Sequence, residues 1–184
     1  MRILHLVRHG PVNVDLDRPS EEWELAPDGG RMVAEMASKM AAVWPKRIIS
    51  SHHVKATQTA DVLARILNAP VQVRPGLEEH HRDQKDFFET REAFDEAMAN
   101  FLQKPDEIVL GSESATMALD RFTAAIDTIM AETVDDEVVV THGAVMALFL
   151  ESTGNGSAAD IWRSLNQPDH VQVSWPGRRV IVTR

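Results

Sequence analysis

Short apolar runs alternate along this chain with longer segments whose apolar residues recur at helical spacing. The runs that we predict as strands are residues 3–7, 47–50 and 71–73 and the segment EVVVTHG, which ends at Gly143. A helix is the usual connection between two parallel strands, so this alternation favours a mostly parallel sheet.

Four of the intervening segments have the period of amphipathic helices. The first follows APDGG, and the second ends at Asn68 and Pro70, which are typical helix stops. The third and fourth are separated by KPDEIVLGSES, whose proline and glycine predict a loop. The apolar positions that define the four helices are, in order, Val33, Met36, Ala37, Met40 and Trp44; Ala56, Ala60, Leu63 and Leu67; Phe87, Phe94 and Phe101; and Leu119, Phe122, Ile126 and Ile129.

The tail HVQVSWPGRRVIVT predicts a hairpin of two strands around Pro176 and Gly177. We therefore expect an α/β three-layer sandwich, with a mostly parallel central sheet, helices on both faces and a C-terminal antiparallel hairpin. The length of 184 residues fits a single domain over 1–184.

The composition argues against several classes of protein. There are 19 Lys and Arg against 28 Asp and Glu, and the formal net charge of -9 opposes binding to nucleic acid or anionic lipid. The chain has no cysteine, which excludes disulfides and thiolate metal sites. Its longest apolar run, 144–150, is far shorter than a membrane span. We expect a soluble cytoplasmic protein with no nucleic-acid or membrane partner, and the oligomeric state stays open.

Polar residues suited to chemistry follow the predicted strands where those strands end. Ligands of such sheets bind beyond the carboxyl ends of the strands, so these residues are expected to share one crevice. They are Arg8 and His9 after the first strand, residues 50–53 and 78–81 after the next two, and Thr141 and His142 after the last.

Two of these strands end in a histidine followed by a glycine. If the strands are neighbours, His9 and His142 face the same crevice, where helix N-termini supply backbone N–H donors. Gly10 lacks a side chain and would let a ligand approach the backbone closely. Such a crevice suits a phosphoryl group.

Arg8 favours an anionic ligand over a metal ion in this crevice. Two histidines with a nearby carboxylate would also bind zinc, but a guanidinium beside a divalent cation is repelled. A guanidinium at the end of a buried strand requires an anionic partner. That partner is either a phosphate ligand or a carboxylate of this chain.

Four motifs, LVRHG, SSHHVKATQTADVLA, GLEE and VVVTHG, occur in this order along most of the chain. Together they resemble the histidine phosphatase superfamily, which has the phosphoglycerate mutase-like fold. The stretch ELAPDGGRMVAEMA also resembles the part of that family before its first helix.

The resemblance implies a two-step phosphoryl transfer. His9 would be the nucleophile, forming a phosphohistidine that water hydrolyses, and Arg8 and His142 would hold the phosphoryl oxygens. Glu79 would protonate the leaving oxygen, with Glu78 as the adjacent alternative. No metal or other cofactor is implied. The second ring nitrogen of His9 must be held by a partner that the sequence does not identify.

Two departures from the family pattern concern substrate binding. Lys55 stands at the family's second phosphate-binding arginine; it keeps the charge but loses the planar fork, which predicts slower turnover or a shifted substrate. The alternative for Lys55 is a solvated helix lysine. Val12 and Asp15 replace a frequent threonine and asparagine, so the loop 11–23 is expected to contact substrate differently, and Asp15 to repel highly anionic substrates.

Two histidine doublets flank the predicted site, and we expect one member of each to line it. They are His52 with His53, and His80 with His81. The helical segment at about 83–110 is expected to cap the crevice and set specificity.

The resemblance and these residues together predict a metal-independent phosphatase. Its partner would be a small phosphorylated substrate, either a phosphomonoester or a phosphohistidine. One alternative is a phosphoglycerate mutase-type enzyme, although the chain has little room for the insertions that mutases of this family carry. The other is a regulatory protein of low activity that binds a phosphorylated ligand, which the exchange at Lys55 favours and the retained nucleophile opposes.

Overall fold

The computed structural model describes residues 1–40, 42–82 and 88–183. A short 3-10 helix at Ser20–Glu22 lies between the first strand and the first α-helix. In chain order the strands and helices are β1 (Arg2–Arg8), α1 (Gly29–Lys39), β2 (Ile48–Ser50), α2 (Val54–Leu67), β3 (Val71–Val73), α3 (Arg91–Gln103), α4 (Ala115–Ala131), β4 (Glu137–Thr141), α5 (Gly143–Ser152), α6 (Ala158–Ser164), β5 (Asp169–Trp175) and β6 (Val180–Thr183).

These strands form one sheet in the order β3-β2-β4-β1-β5-β6. The pairs β1 with β4, β4 with β2, and β2 with β3 are parallel. β5 runs antiparallel to both β1 and β6, and β5 and β6 form the predicted hairpin. The predicted α/β sandwich, with a mostly parallel sheet and a C-terminal antiparallel pair, is confirmed. The sheet order also places β1 beside β4, as the two histidine–glycine motifs required.

Apolar side chains pack on both faces of the sheet because successive strand residues point to opposite sides. Leu4 and Leu6 of β1 belong to a buried cluster with Phe122 of α4 and Phe149 of α5. Val7 belongs to a second cluster, which contains buried residues of α1 and α2. Helices therefore cover the two faces of β1 and hold its carboxyl end in a fixed position.

The end of α2 follows its local signals, whereas the end of α1 departs from the predicted apolar spacing. Asn68 ends α2 in a left-handed conformation with φ of 53°, as predicted. Trp44 is predicted on the apolar face of the first helix, but α1 ends at Lys39 and Trp44 is 84% exposed. That prediction was wrong because Pro45 follows Trp44 and disfavours a helical conformation at the preceding residue.

The third helix begins later than its apolar pattern indicates. α3 starts at Arg91, where the hydroxyl of Thr90 accepts the backbone N–H of Ala93 at 3.2 Å. Phe87 lies outside the described residues. None of the described helices has both the length and the apolar character that a membrane crossing requires.

Candidate active site

The carboxyl ends of β1 and β4 bring His9 and His142 together. Arg8 pairs with Thr141 in the parallel register, and the N–H of His9 donates to the carbonyl of Thr141 at 3.0 Å. The two imidazole rings lie 5.1 Å apart between centroids, and both side chains are buried. Residues that are 133 positions apart in the chain thus meet at one point beyond the sheet.

The ring of His9 is fixed in one tautomer by the main chain. Its Nδ1 lies 2.7 Å from the carbonyl oxygen of Gly10, and because a carbonyl only accepts, Nδ1 carries the proton. Burial, and the charge of Lys55, lower the pKa of His9 to about 3. The imidazole is therefore neutral near pH 7, with an unprotonated Nε2. The carbonyl of Gly10 is the partner that the sequence could not identify.

Gly10 is required for packing against the start of α1. A Cβ at Gly10 would lie 2.9 Å from Val33 Cγ2 and 3.1 Å from Leu25 Cδ2. The N–H of Gly10 donates to the hydroxyl of Thr59 at 3.1 Å, which fixes the backbone beside His9. From the sequence, we expected Gly10 to let a ligand approach the backbone. In the structure, the space beside its Cα is filled by the side chains of Val33 and Leu25.

His142 is held by Ser51. The Nε2 atom of His142 lies 2.9 Å from Ser51 Oγ, and that oxygen also accepts the N–H of His53 at 3.3 Å. The hydroxyl proton of Ser51 has no other acceptor among the described residues, so we assign it to a hydrogen bond with Nε2, which leaves the ring proton of His142 on Nδ1. Nδ1 is buried and has no hydrogen-bond partner among the described residues. Burial, with His53 and His9 nearby, holds the pKa of His142 well below its ordinary value.

Arg8 reaches this site without a carboxylate partner in the described part of the chain. Its Nη1 donates to the carbonyl of Leu165 at 2.9 Å, while its buried Nε has no hydrogen-bond partner there. Burial lowers the pKa of Arg8, and the carboxylate of Glu79 opposes that shift. The sequence analysis considered two anionic partners for Arg8, a phosphate ligand and a carboxylate of this chain. Among the described residues, no carboxylate forms an ion pair with Arg8.

Glu79 and Glu78 have different surroundings. Glu79 accepts the N–H groups of Ala144 at 3.0 Å and Val145 at 3.2 Å, which are among the first donors of α5. Burial alone would raise the pKa of Glu79, but His80 and the N–H of Ala144 hold it below its ordinary value. Glu79 therefore faces the cavity as a carboxylate.

Glu78 is turned away from the cavity. Its carboxylate lies 3.1 Å from Arg121 Nη1 and 3.3 Å from Nδ1 of His52. Of the two candidate acids, only Glu79 lines the cavity.

Lys55 is buried inside the site rather than solvated. Its Nζ donates to the carbonyl of Ser20 and lies 5.5 Å from the centroid of the Trp23 indole. Burial, and the charge of Arg82, lower the pKa of Lys55 to about 8. The structure thus excludes the alternative of a solvent-exposed helix lysine.

The loop 11–23 lines the site, but Asp15 does not. Asp15 lies 3.7 Å from Arg18, and both side chains are substantially exposed. Val12, Val14, Leu16 and Trp23 supply the cavity wall from this loop.

We expected one histidine of each doublet to line the site, and this holds for His80 and His81 but not for His52 and His53. His80 is buried and lines the cavity, while His81 is exposed. His53 is buried with its ring 4.7 Å from that of His142, so it packs against a site residue without lining the cavity.

One cavity of about 300 Å³ is shared by the five residues that the sequence analysis selected. They are Arg8, His9, Lys55, Glu79 and His142. Phe88, Phe94 and Met98 add a wall from the segment expected to cap the crevice, of which residues 83–87 lie outside the described residues. Sequence reasoning missed the aromatic side of this wall, because Phe94 looked like a core residue of an amphipathic helix.

Among residues 1–40, 42–82 and 88–183, no group of three or more His, Asp or Glu side chains is placed to hold a metal ion. The basic groups and the neutral histidines instead give the cavity hydrogen-bond donors and one unprotonated imidazole nitrogen. Such a set can bind an anion and attack an electrophilic centre.

Comparisons with known proteins agree with the fold and the motifs. A search of curated protein sequences found no significant match. Solved structures of similar fold include a mycobacterial glucosyl-3-phosphoglycerate phosphatase, with 20% identity, a TM-score of 0.76 and coverage of 99% of this chain and 98% of that one. YhfR from Bacillus stearothermophilus has 18% identity and a TM-score of 0.77, with coverage of 99% and 95%.

A phosphoserine phosphatase mutant from Entamoeba histolytica, in complex with phosphoserine, is 17% identical with a TM-score of 0.72, and the alignment covers 100% of this chain and 96% of that one. The family model of the histidine phosphatase superfamily, branch 1, matches residues 4–178. The matched range includes both histidine–glycine motifs and the glutamate that lines the cavity. The chain belongs to the histidine phosphatase superfamily.

Proposed function

We propose that this protein is a metal-independent phosphatase that hydrolyses a small phosphomonoester or a phosphohistidine through a phosphohistidine intermediate on His9. The observation that carries the proposal is the fixed tautomer of His9. A neutral ring with its proton on Nδ1 presents Nε2 as a nucleophile in a cavity that also contains Arg8, Lys55 and His142.

In the first step, Nε2 of His9 attacks phosphorus and the ester P–O bond breaks. Arg8, Lys55 and Nδ1 of His142 donate hydrogen bonds to the phosphoryl oxygens and stabilise the negative charge of the transition state. The ammonium of Lys55 lacks the planar fork of an arginine, and one of its three N–H groups already donates to the carbonyl of Ser20.

Glu79 carries the proton between the two steps. A phosphomonoester has its second pKa near ~6, so the monoanion brings a proton into the cavity. The bound anion also raises the proton affinity of Glu79 by like-charge repulsion, so the carboxyl can take that proton and deliver it to the leaving oxygen. Glu79 then accepts a proton from the water that attacks phosphohistidine, which releases phosphate and restores the neutral ring of His9.

The comparisons support hydrolysis as the reaction. Two of the proteins with this fold are named as phosphatases, one for glucosyl-3-phosphoglycerate and one for phosphoserine. For this chain, we propose one domain in which the segment at about 83–110, whose described part begins at residue 88, caps the cavity.

The test measures phosphate release from p-nitrophenyl phosphate and a panel of phosphomonoesters in EDTA. We expect turnover, its loss in His9→Ala, and an acid-labile phosphoenzyme in the unmodified protein during turnover. His81→Ala, at an exposed histidine, is the matched control and keeps activity. Turnover that survives in His9→Ala, or that stops in EDTA, contradicts the proposal.

The same assay separates the alternatives. A mutase needs a phosphorylated primer and yields an isomer with little free phosphate. A regulatory protein binds phosphate or a phosphorylated ligand without forming the phosphoenzyme.

A further inference from the structure

The cavity has an apolar wall from the loop between β1 and α1. Val12, Val14, Leu16 and Trp23 line it, and Val14 and Leu16 remain 56% and 61% exposed. The indole of Trp23 is held in place because its Nε1 donates to the carbonyl of Asp15 at 2.7 Å. This wall therefore offers ordered apolar surface that a ligand can cover.

A second apolar wall comes from α3, the residues just before it, and α6. The ring of Phe94 lies 5.6 Å from that of Phe88 and 5.9 Å from that of Trp162, at angles near 60° in both cases. Such edge-to-face contacts fix the three rings relative to one another. Met98 lines the cavity beside them. The rings thus form a preorganised surface rather than a set of mobile side chains.

Two polar side chains beside these walls already have partners, while His80, Glu89 and Gln167 also line the cavity. The hydroxyl of Thr90 accepts the N–H of Ala93, and Arg91 lies 2.7 Å from Asp95. A sugar or polyol needs several directional partners, and each hydroxyl placed against Leu16 or Phe94 without one would lose its hydrogen bonds to water. The walls formed by described residues therefore suit an apolar leaving group better than a polyhydroxylated one.

We infer that the preferred substrate is a phosphomonoester of an apolar alcohol. The alcohol is about the size of a molecule with one aromatic ring. This inference rests on the proposed function. Benzene fits a cavity of about 150 Å³. The volume of about 300 Å³ therefore holds one ring in addition to the phosphoryl group bound at His9.

The test compares kcat/KM for ethyl phosphate, glycerol 3-phosphate and 2-phenylethyl phosphate. All three are esters of primary alcohols, so the leaving groups have similar basicity and the comparison reports binding of the alcohol part. We expect kcat/KM for 2-phenylethyl phosphate to exceed both others by about tenfold or more, the range that contacts in an apolar pocket give. Equal values, or a preference for glycerol 3-phosphate, overturn the inference.

Leu16→Asn tests the wall directly. We expect this substitution to lower kcat/KM for 2-phenylethyl phosphate at least about threefold more than for ethyl phosphate, because it removes apolar contact with the phenyl ring. The side chain of Leu16 is exposed, so the substitution leaves the core unchanged. The matched control is Val134→Ser, an exposed apolar residue outside the cavity that is expected to change neither value. An unchanged ratio in Leu16→Asn contradicts the role of this wall.

Failure of the inference and failure of the proposed function give different results. If all three esters are hydrolysed at similar kcat/KM and His9→Ala abolishes hydrolysis, the phosphatase stands and the apolar preference falls. If neither the phosphomonoesters of the panel nor a phosphohistidine is hydrolysed, the proposed function falls, and calorimetric binding of 2-phenylethylphosphonate against ethylphosphonate decides the inference. Tighter binding of the phenylethyl compound supports it, and equal binding overturns it.

Discussion

Gly143 lies so close to the guanidinium of Arg8 that a Cβ on the glycine would stand 2.9 Å from both Arg8 Cζ and Arg8 Nε. Arg8 ends β1, and Gly143 begins α5 directly after His142. The glycine is therefore what allows the guanidinium to lie against the start of α5, beside the proposed phosphate site.

We expect Gly143→Ala to lower kcat/KM for phosphomonoesters by about 100-fold. The added methyl group displaces the guanidinium of Arg8, and the loss of one donor to the transition state costs ~10²–10³ in rate. The measurement is kcat/KM together with the inhibition constant of inorganic phosphate, which is expected to rise.

The control for this substitution is Gly30→Ala in α1, where a Cβ would meet nothing within 4 Å. That change is expected to keep activity and to raise the free energy of unfolding by about 0.5 kcal/mol, because it reduces the freedom of the unfolded chain. If Gly143→Ala binds phosphate as well as the unmodified protein does, the guanidinium of Arg8 does not act on phosphate.

Lys55 predicts an alkaline limit to activity. Its pKa of about 8 means that the free enzyme carries the ammonium below that pH and loses it above. The value of kcat/KM, which already declines above pH ~6 as the substrate monoanion loses its proton, is therefore expected to fall more steeply beyond pH 8. In Lys55→Arg the charge persists, and the fall should move to higher pH, accompanied by about a tenfold gain at neutral pH from the planar fork. The measurement is a pH profile of kcat/KM from pH 6 to 10.

Lys46→Arg serves as the matched exchange, since this exposed lysine pairs with Asp135 at the surface at 2.6 Å. It should reproduce the original profile. If kcat/KM of Lys55→Arg falls at the same alkaline pH as that of the unmodified protein, another group causes the fall. If kcat/KM at neutral pH does not rise with any substrate, Lys55 does not bind phosphate more weakly than an arginine would.

The strands, the helices and the mostly parallel character of the sheet could be predicted because their signals are local, whereas the order of the strands could not. A strand buried on both faces is a continuous apolar run, as in 137–141, and an amphipathic helix shows its own period. Trp44 was assigned wrongly because the helical spacing of apolar residues continued to Trp44, whereas α1 ends at Lys39.

The chemical side chains of the site could also be predicted, but their partners could not. His9 and Glu79 stand in recognisable motifs, whereas the groups that orient them are the carbonyl of Gly10 and the N–H groups of Ala144 and Val145. Every residue carries such backbone groups, so sequence letters do not distinguish the ones that matter.

Contacts between distant segments were equally hidden. Gly10 is required by Leu25 and Val33, and the backbone around Glu79 is held by a side chain 42 positions away on α4. Nothing in the local spacing of these residues indicates that they meet. Only the folded arrangement of α1 and α4 against the sheet brings them into contact.

Arg121 is the side chain that holds this backbone. Its Nη1 donates to the carbonyls of Gly76 and Glu78 at 3.1 Å each, and its Nη2 donates to the carbonyl of Glu79 at 3.3 Å. Its remaining donors grip the carboxylate of Glu113, at 2.9 Å from Nε and 2.8 Å from Nη2. A lysine cannot make these bonds together, because it lacks the planar fork.

We therefore expect Arg121→Lys to lower kcat about tenfold with a smaller change in KM, since the position of Glu79 affects proton transfer more than phosphate binding. Arg47→Lys is the matched control: Arg47 grips Glu137 and Glu132 at the amino end of β4, away from the cavity. It should cost similar stability and leave kcat unchanged. Equal losses of kcat in the two variants would mean that Arg121 acts only through stability.

A buried histidine pair outside the cavity predicts how stability depends on pH. Nδ1 of His5 lies 2.9 Å from Nε2 of His170, so one neutral ring donates to the other. Burial, and the neighbouring His5, lower the pKa of His170 to about 4; burial also lowers the pKa of His5, although Asp136 opposes that shift. The unfolded chain takes up these protons near pH ~6.5, and the folded protein takes up that of His170 only near pH 4.

The contribution of this pair to the free energy of unfolding is therefore expected to be constant above about pH 7 and to fall as pH drops from about 6.5 to 4. His170→Gln removes one titrating ring but keeps a hydrogen-bonding side chain, so it should match the unmodified protein at pH 7.5 and lose about 2 kcal/mol less by pH 4.5. Urea unfolding at pH 7.5, 6.0, 5.0 and 4.5 measures both slopes. Parallel slopes would show that folding does not lower the pKa of His170. A variant that is less stable than the unmodified protein at pH 7.5 would show that the glutamine does not replace the hydrogen bond.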